Sequence, residues 1–337
     1  MAANYSSQHQ QLIATFIEAA PKRMSAPQRE FITHFYALAP LGDLSALDPA
    51  HAARVALDAY VPFQTRASDA PSIHIETKKI NEHGRTISRT EVIAINDDRP
   101  FLVDSLSALF TGLGLTIHHV HHPIFATVRD KNGKLKEAIA ASKRKKSENR
   151  ESLIYFELSS LPAQLTPEML EEKMRYTLDH VAAAVSDWPK MHKEMVGFAD
   201  ALLSHAKKDS TEEVQEICDL LRWLANNHFV FLGLAHYNAT QSGKEISLTL
   251  DKKSALGIYR LPASEDAIER GHLPTTKESF AILKASATAE VHRRANMDYI
   301  VLRRTDAKGK YLGELRILGL FTSIAITSAR CALGTVE

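Results

Sequence analysis

Three carboxylates, Asp97, Asp98 and Asp104, flank Pro100 where an apolar run gives way to a helical pattern. A helix start leaves backbone N–H groups without intrahelical partners, so polar ligands collect there. The acids would repel a bare carboxylate but can hold the ammonium of a zwitterion. Asp97, Asp98 and Asp104 are therefore the effector-binding candidates. Asp104 falls about 200° round from Leu102 at 3.6 residues per turn, off the apolar stripe. The ordinary explanation of these acids is electrostatic, each offsetting the positive helix end by about 0.3–1 kcal/mol.

His118, His119, His121 and His122 form the densest group of metal-capable side chains. Strand alternation puts His118 with His122 and His119 with His121, so the second pair could pinch an ion. No acidic or Cys ligand is spaced to complete a set, Pro123 points to an edge or bulge, and no metal is assigned. Gly112-Leu113-Gly114 opens like a dinucleotide fingerprint, but Ile117 stands where the third glycine belongs. The motif also leads from helix to strand, whereas a pyrophosphate needs the start of a helix that follows a strand. No cofactor is expected on this chain, and no catalytic residue can be named in it. Lys143-Arg144-Lys145-Lys146 reads as a solvated loop, with no aromatic or groove-reading companion for nucleic acid.

The elements that must position these groups follow from periodicity and turn chemistry. Residues 1–70 read as helices, with a capping box at Ser25-Ala26-Pro27-Gln28 and a cap at Asp48-Pro49 ahead of Val55, Leu57 and Tyr60. Ile73 and Ile75 alternate as in a strand before the turn Asn81-Glu82-His83-Gly84. Val92-Ile93-Ala94-Ile95 is a continuous run suited to a buried strand. Pro100 near the first helical position opens a helix with Leu102, Leu106, Leu109 and Leu113 on one face, ended by Gly112 and Gly114. A single strand over 115–129 follows, then Lys131-Asn132-Gly133-Lys134, a two-residue Asn-Gly hairpin turn. After a strand at 153–158, Thr166-Pro167 caps a helix carrying Leu170, Met174, Leu178, Val181, Val185 and Trp188, which Pro189 kinks or ends. From 208, a helix with Val214, Ile217, Leu221 and Leu224 precedes strands at 228–237, 246–250, 297–304 and 311–320, the last two around Asp306-Ala307-Lys308-Gly309.

The 337 residues predict two or three modules, and 45% apolar with 24% charged residues is an ordinary globular balance. Lys plus Arg number 41 against 40 Asp plus Glu, so no surplus of positive charge invites a polyanion. Of the two cysteines, Cys218 sits in a helical pattern as a small core residue and Cys331 stands far from it. No secretory signal and no span of about 20 apolar residues occurs, which predicts a cytoplasmic protein without membrane contact.

Asn96-Asp97-Asp98-Arg99-Pro100-Phe101-Leu102-Val103-Asp104-Ser105, with His122-Pro123 and Val128-Arg129-Asp130, resembles the large bacterial NAD-specific glutamate dehydrogenase family. The similarity continues through Leu221-Arg222-Trp223-Leu224, His228-Phe229-Val230-Phe231-Leu232-Gly233, Val291-His292-Arg293, Gly313-Glu314 and Gly319-Leu320-Phe321-Thr322-Ser323. The resemblance implies the enzyme's amino-terminal part, α+β in class: helices, an ACT-like (ferredoxin-like) module and a PAS-type antiparallel sheet. The catalytic Lys, Asp and nucleotide fold lie elsewhere in that family, so NAD serves the parent enzyme and this chain alone is expected to be inactive. Arg99 stands where the family usually has Met, and no strand is visible after Pro189 to close the ACT order, an edge that the strand near 73–79 can fill. After Ser323 the sequence leaves the family's pattern, as a truncated or frameshifted reading would.

The expected organisation is a helical segment 1–70, an ACT-like module 71–207, a PAS-type module 208–323 and a divergent tail 324–337. The resemblance implies a regulatory and assembly segment of a homo-oligomer with an amino-acid effector. The alternative is a structural oligomerisation module that binds nothing small.

Overall fold

The computed structural model describes residues 7–67, 70–82, 85–140, 149–204, 211–242, 245–262, 279–306 and 308–323. The basic run 143–146, the tail 324–337 with Cys331, His83-Gly84 and Ala307 of two expected turns, and Ser210, expected from the Ser210-Thr211-Glu212-Glu213 capping box to cap the helix that carries Val214, lie outside them. The chain divides into two compact units, 1–178 and 179–337.

The first unit begins with α1 (Ser7–Ala19), α2 (Ala26–Tyr36), α3 (Leu41–Ala46) and α4 (Pro49–Phe63). The two predicted caps are present. Ser25 and Gln28 close a capping box, and the Asp48 carboxylate accepts from His51 N at 2.8 Å, with Pro49 opening α4. The apolar faces of these helices do not form a core of their own. Phe16, Phe31, Phe35, Tyr36, Ala56 and Phe63 share one cluster with Ile93, Ile95, Phe125, Leu153 and Tyr155 of the sheet.

That sheet contains β1 (Ser72–Glu82), β2 (Arg85–Asp97), β3 (Ile117–His121), β4 (Ile124–Arg129), β5 (Leu135–Ala140) and β6 (Arg150–Ser159), in the order β1-β2-β6-β4-β5 with β3 also on β6. α5 (Leu102–Gly112) carries the chain from β2 to β3, and β6 returns between them, the split β–α–β pattern of ferredoxin-like folds. The edge beside β2 is filled from the N-terminal side by β1, paired from Ser72↔Ile95 to Glu82↔Arg85. β2 is buried from Glu91 to Asn96 because both of its faces are covered. Ile93 and Ile95 meet the N-terminal helices, while Val92 lies beside Phe156, whose ring packs edge-on to Phe110 of α5 at 4.9 Å.

Several local expectations need correction. The single strand over 115–129 is two, because Pro123 has no N–H for the ladder and its carbonyl instead accepts from Leu153 N at 3.0 Å. α5 starts at Leu102, after Phe101 in a left-handed conformation (φ 70°), so Pro100 precedes the helix and does not open it. Its exit is as predicted, with Gly114 at φ 76° and Leu115 N bonding back to Phe110 O. The Asn-Gly turn is wider than two residues: only Gly133 has positive φ, and Asp130 Oδ1 accepts from the N–H groups of Asn132 and Lys134. Asp306, Lys308, Gly309 and Lys310 repeat that turn in the second unit, where Asp306 accepts from Lys308 N and Lys310 N.

α6 (Pro167–Ser204) runs on through Pro189, because Met191, Met195 and Ala199 are fully buried beyond it in the second unit's core. The predicted stripe holds for Leu170, Met174, Leu178 and Val181, then turns away, leaving Val185 half-buried and Trp188 exposed. Asp187 is buried in their place, accepting from Gly257 N at 2.9 Å and Arg260 Nε at 2.5 Å.

The second unit adds α7 (Thr211–Trp223), whose Ile217, Cys218 and Leu221 are buried, with the Cys218 thiol donating to Ala199 O. Burial raises that thiol's pKa, as suits a core residue. Strands β7 (Phe229–Ser242), β8 (Glu245–Leu250), β9 (Leu256–Gly257), β10 (Phe280–Thr288), β11 (Asn296–Thr305) and β12 (Tyr311–Phe321) form an antiparallel sheet ordered β10-β11-β12-β7-β8, with β9 on β7. Phe231, Ile300, Leu315 and Ile317 face α6 and α7. Buried Arg316 is bonded to Glu314 at 2.7 Å and lies 3.9 Å over the Tyr237 ring. Among the described residues no helix is long and apolar enough to cross a membrane.

Gly313 has φ 134°, and a Cβ there would overlap the Tyr237 carbonyl. Gly313→Ala is expected to cost about 1–3 kcal/mol, read from denaturant unfolding of the full chain.

Candidate functional site

The most developed site in the first unit rests on a carboxylate that its strand should not tolerate. β6 is buried from Glu151 to Leu158, and Glu151 is only 5% exposed. Arg129 grips it with both ends of its guanidinium, Nε to Oε1 at 2.8 Å and Nη2 to Oε2 at 2.7 Å, and Arg66 Nη1 adds a bond to Oε1 at 3.1 Å. Arg129 also donates to Gly133 O and Phe63 O, and Arg66 Nε donates to Ala70 O at 3.0 Å. The end of α4, the β4–β5 turn and the start of β6 are thus fastened to one charge cluster. Gly133 is required there, since a Cβ would fall on the Arg66 carbonyl.

Above this cluster opens a cleft of about 770 Å³, lined by residues of the α4 exit, the β2 end, the β4–β5 turn and the β6 start. Asp97 and Asp98 line it together, whereas Asp104 does not; it is exposed on the first turn of α5. Neither Asp97 nor Asp98 caps α5, which has no side-chain capping bond. Both carboxylates already hold cations. Asp97 lies 2.9 Å from Arg66 Nη2 and 3.1 Å from Arg99 Nη2, so Arg99 contributes charge where an apolar side chain would contribute none. Asp98 lies 3.2 Å from Arg150 Nε and accepts from Ser152 Oγ at 2.9 Å, which in turn meets His122 Nε2 at 2.9 Å. Burial lowers the His122 pKa against the pull of Asp98.

The other histidines do not gather into a metal site. No group of three or more His, Cys, Asp or Glu side chains among the described residues has that geometry. His118 is exposed. His119 and His121 share a face, as alternation requires, and the charge of His119 acts on both His121 and Glu157. His121 is packed among Phe35, Tyr36 and Tyr155, and burial pulls its pKa down to about 4. Arg66, Arg150, Glu151 and Ser152 escaped the sequence reading. An acid at the head of the apolar run Leu153–Phe156 was the one local signal, and its partners lie 22 and 85 residues away.

Residues 31–174 match the family described as glutamate dehydrogenase, ACT1 domain. The match takes in α2 from Phe31, α3 and α4 as well as the sheet, and these share one core. The NAD-specific glutamate dehydrogenase of Halomonas elongata is 29% identical over 316 residues, covering 90% of this chain and 19% of that protein. The enzyme of the same name from Pseudomonas aeruginosa is 27% identical over 300 residues, covering 87% of this chain and 18% of its own length. The chain is a relative of the amino-terminal region of bacterial NAD-specific glutamate dehydrogenases. It spans less than a fifth of the length of these glutamate dehydrogenases. Within the ACT1 domain, the motif Asn96–Ser105 supplies the β2 end and the α5 start, and Val128-Arg129-Asp130 supplies the grip on Glu151.

Two outcomes test this electrostatic arrangement. Glu151→Gln leaves the buried Arg66 and the half-buried Arg129 undercompensated and should cost about 3–5 kcal/mol of stability. His121 is neutral when folded and basic when unfolded, so its contribution is complete above pH 6.5 and is lost as pH falls toward 4. That amounts to roughly 3 kcal/mol, and His121→Phe should flatten the stability profile across this window.

Proposed function

We propose that this chain is the regulatory and assembly segment of an NAD-dependent glutamate dehydrogenase, a cytoplasmic homo-oligomer. The parent reaction converts L-glutamate, NAD and water into 2-oxoglutarate, ammonium and NADH, with NAD and substrate held on a catalytic domain outside this chain. The observation that carries the reading is the ACT1 match over a unit with a polar cleft at the β2 end and the α5 start. An amino-acid effector occupies that cleft against Asp97 and Asp98, with Asp104 at the neighbouring helix start. The second unit is a PAS-type module; its support is the strand order, in which the first and last strands of the unit, β7 and β12, lie side by side in the centre.

Calorimetry of the full chain against a panel of amino acids tests the effector role. Heat with at least one of them, reduced by Asp97→Asn and Asp98→Asn, is expected. A folded sample that binds none would leave the alternative, a structural oligomerisation module. In that case these substitutions cost only the roughly 0.2–1 kcal/mol of partly exposed ion pairs.

A further inference from the structure

Four cations and four anions line the cleft: Arg66, Arg129, Lys131 and Arg150 against Asp97, Asp98, Asp130 and Glu151. Their charges balance, but their commitments do not. Glu151 is held on both oxygens by Arg66 and Arg129. Asp97 has Arg66 and Arg99, and Asp98 has Arg150 and Ser152. Asp130 accepts from Asn132 N and Lys134 N on one oxygen and meets Lys136 with the other, and those backbone bonds hold its pKa below the usual range. All four carboxylates are therefore already engaged. Among the cations the position differs. Lys131 is exposed and makes no ion pair among the described residues, and Arg150, also exposed, approaches Asp98 most closely through Nε, with no hydrogen bond from either Nη group to a described residue. The unspent hydrogen-bonding capacity of the cleft is donor capacity on positive groups. A ligand that brought only an ammonium would have to displace an arginine, whereas one that brings an oxyanion finds donors open.

We propose that the cleft is an oxyanion site, with Lys131 and the Arg150 guanidinium as its anchors and the ligand's amino group, where it has one, secondary. This rests on the effector reading above and specifies which end of the ligand is held. A carboxylate or a phosphate satisfies the same donors, so the test separates these sources.

The full chain is titrated calorimetrically with amino acids, with the same acids lacking the amino group (propionate for alanine, glutarate for glutamate), with amino-acid amides lacking the carboxylate, and with inorganic phosphate. The desamino acids are expected to bind as the amino acids do, and the amides to give no heat. Lys131→Met and Arg150→Gln, both at exposed side chains and checked for unchanged melting, should each weaken binding about tenfold. Phosphate binding without any carboxylate binding would keep the oxyanion site while removing the amino-acid effector. Amides that bind as well as amino acids, or amino-acid binding untouched by both substitutions, would overturn the oxyanion site and leave the effector reading intact. No binding by any probe would end both.

Discussion

A buried carboxylate between two arginines sets the terms for the first unit. An ion the size of Glu151 loses several kcal/mol of hydration when it enters a strand covered on both faces, and only close, well-directed partners return that loss. Arg129 supplies the planar two-point match that a lysine could not, and Arg66 adds a third bond. Because these partners come from the α4 exit and from β4, the helices cannot shift against the sheet without stranding a charge. The same bonds hold the β4–β5 turn through Arg129 to Gly133 O, so the cleft floor and its rim are fixed together.

Elsewhere the N-terminal helices meet the sheet through two unlike surfaces. Toward β4 the contact is aromatic, with Phe31, Phe63 and Phe125 packed ring to ring at 4.8–5.5 Å. Toward β1, β2 and β6 it is ionic: Arg54 of α4 pairs with Glu91 at 2.6 Å, Lys78 reaches Glu91 at 3.1 Å and Asp58 at 2.5 Å, and His51 meets Glu157 of β6 at 3.3 Å. Burial pushes Glu157 toward protonation, but His51, His119 and Arg89 outweigh it and keep its pKa low. His121 lies one step away among aromatic rings, where burial outweighs the pull of Glu157 on its charge. Two histidines on one strand face thus take opposite roles according to what the helices place over them.

Local rules made much of this legible. Caps at Ser25 and Asp48, the left-handed glycine at 114, the buried run 92–95 and the core role of Cys218 depend on contacts within a few residues, and the structure bears them out. The misses are of two kinds. Pro189 and Trp188 obeyed tertiary packing over propensity, since the apolar stripe of α6 drifts round the helix and is met by a different core. β10 was invisible because Phe280–Thr288, an edge strand with three Ala among nine residues, lacks the alternation that marks a half-buried strand. The candidate site was half readable: the sequence located Asp97 and Asp98 but not the arginines that neutralise them, which arrive from residues 66 and 150.

That omission changes the chemistry assigned to the site. Read alone, a pair of aspartates at a helix start is an ammonium trap. Set among Arg66, Arg99 and Arg150, the same pair becomes the counter-charge that lets arginines stand in a partly enclosed cleft. A guanidinium fixed by one carboxylate through Nε still presents its other edge, pre-oriented and with little entropy left to lose on binding. In the proposed oxyanion site the acids aim the bases, and the polarity of the ligand follows from which partner has donors left over.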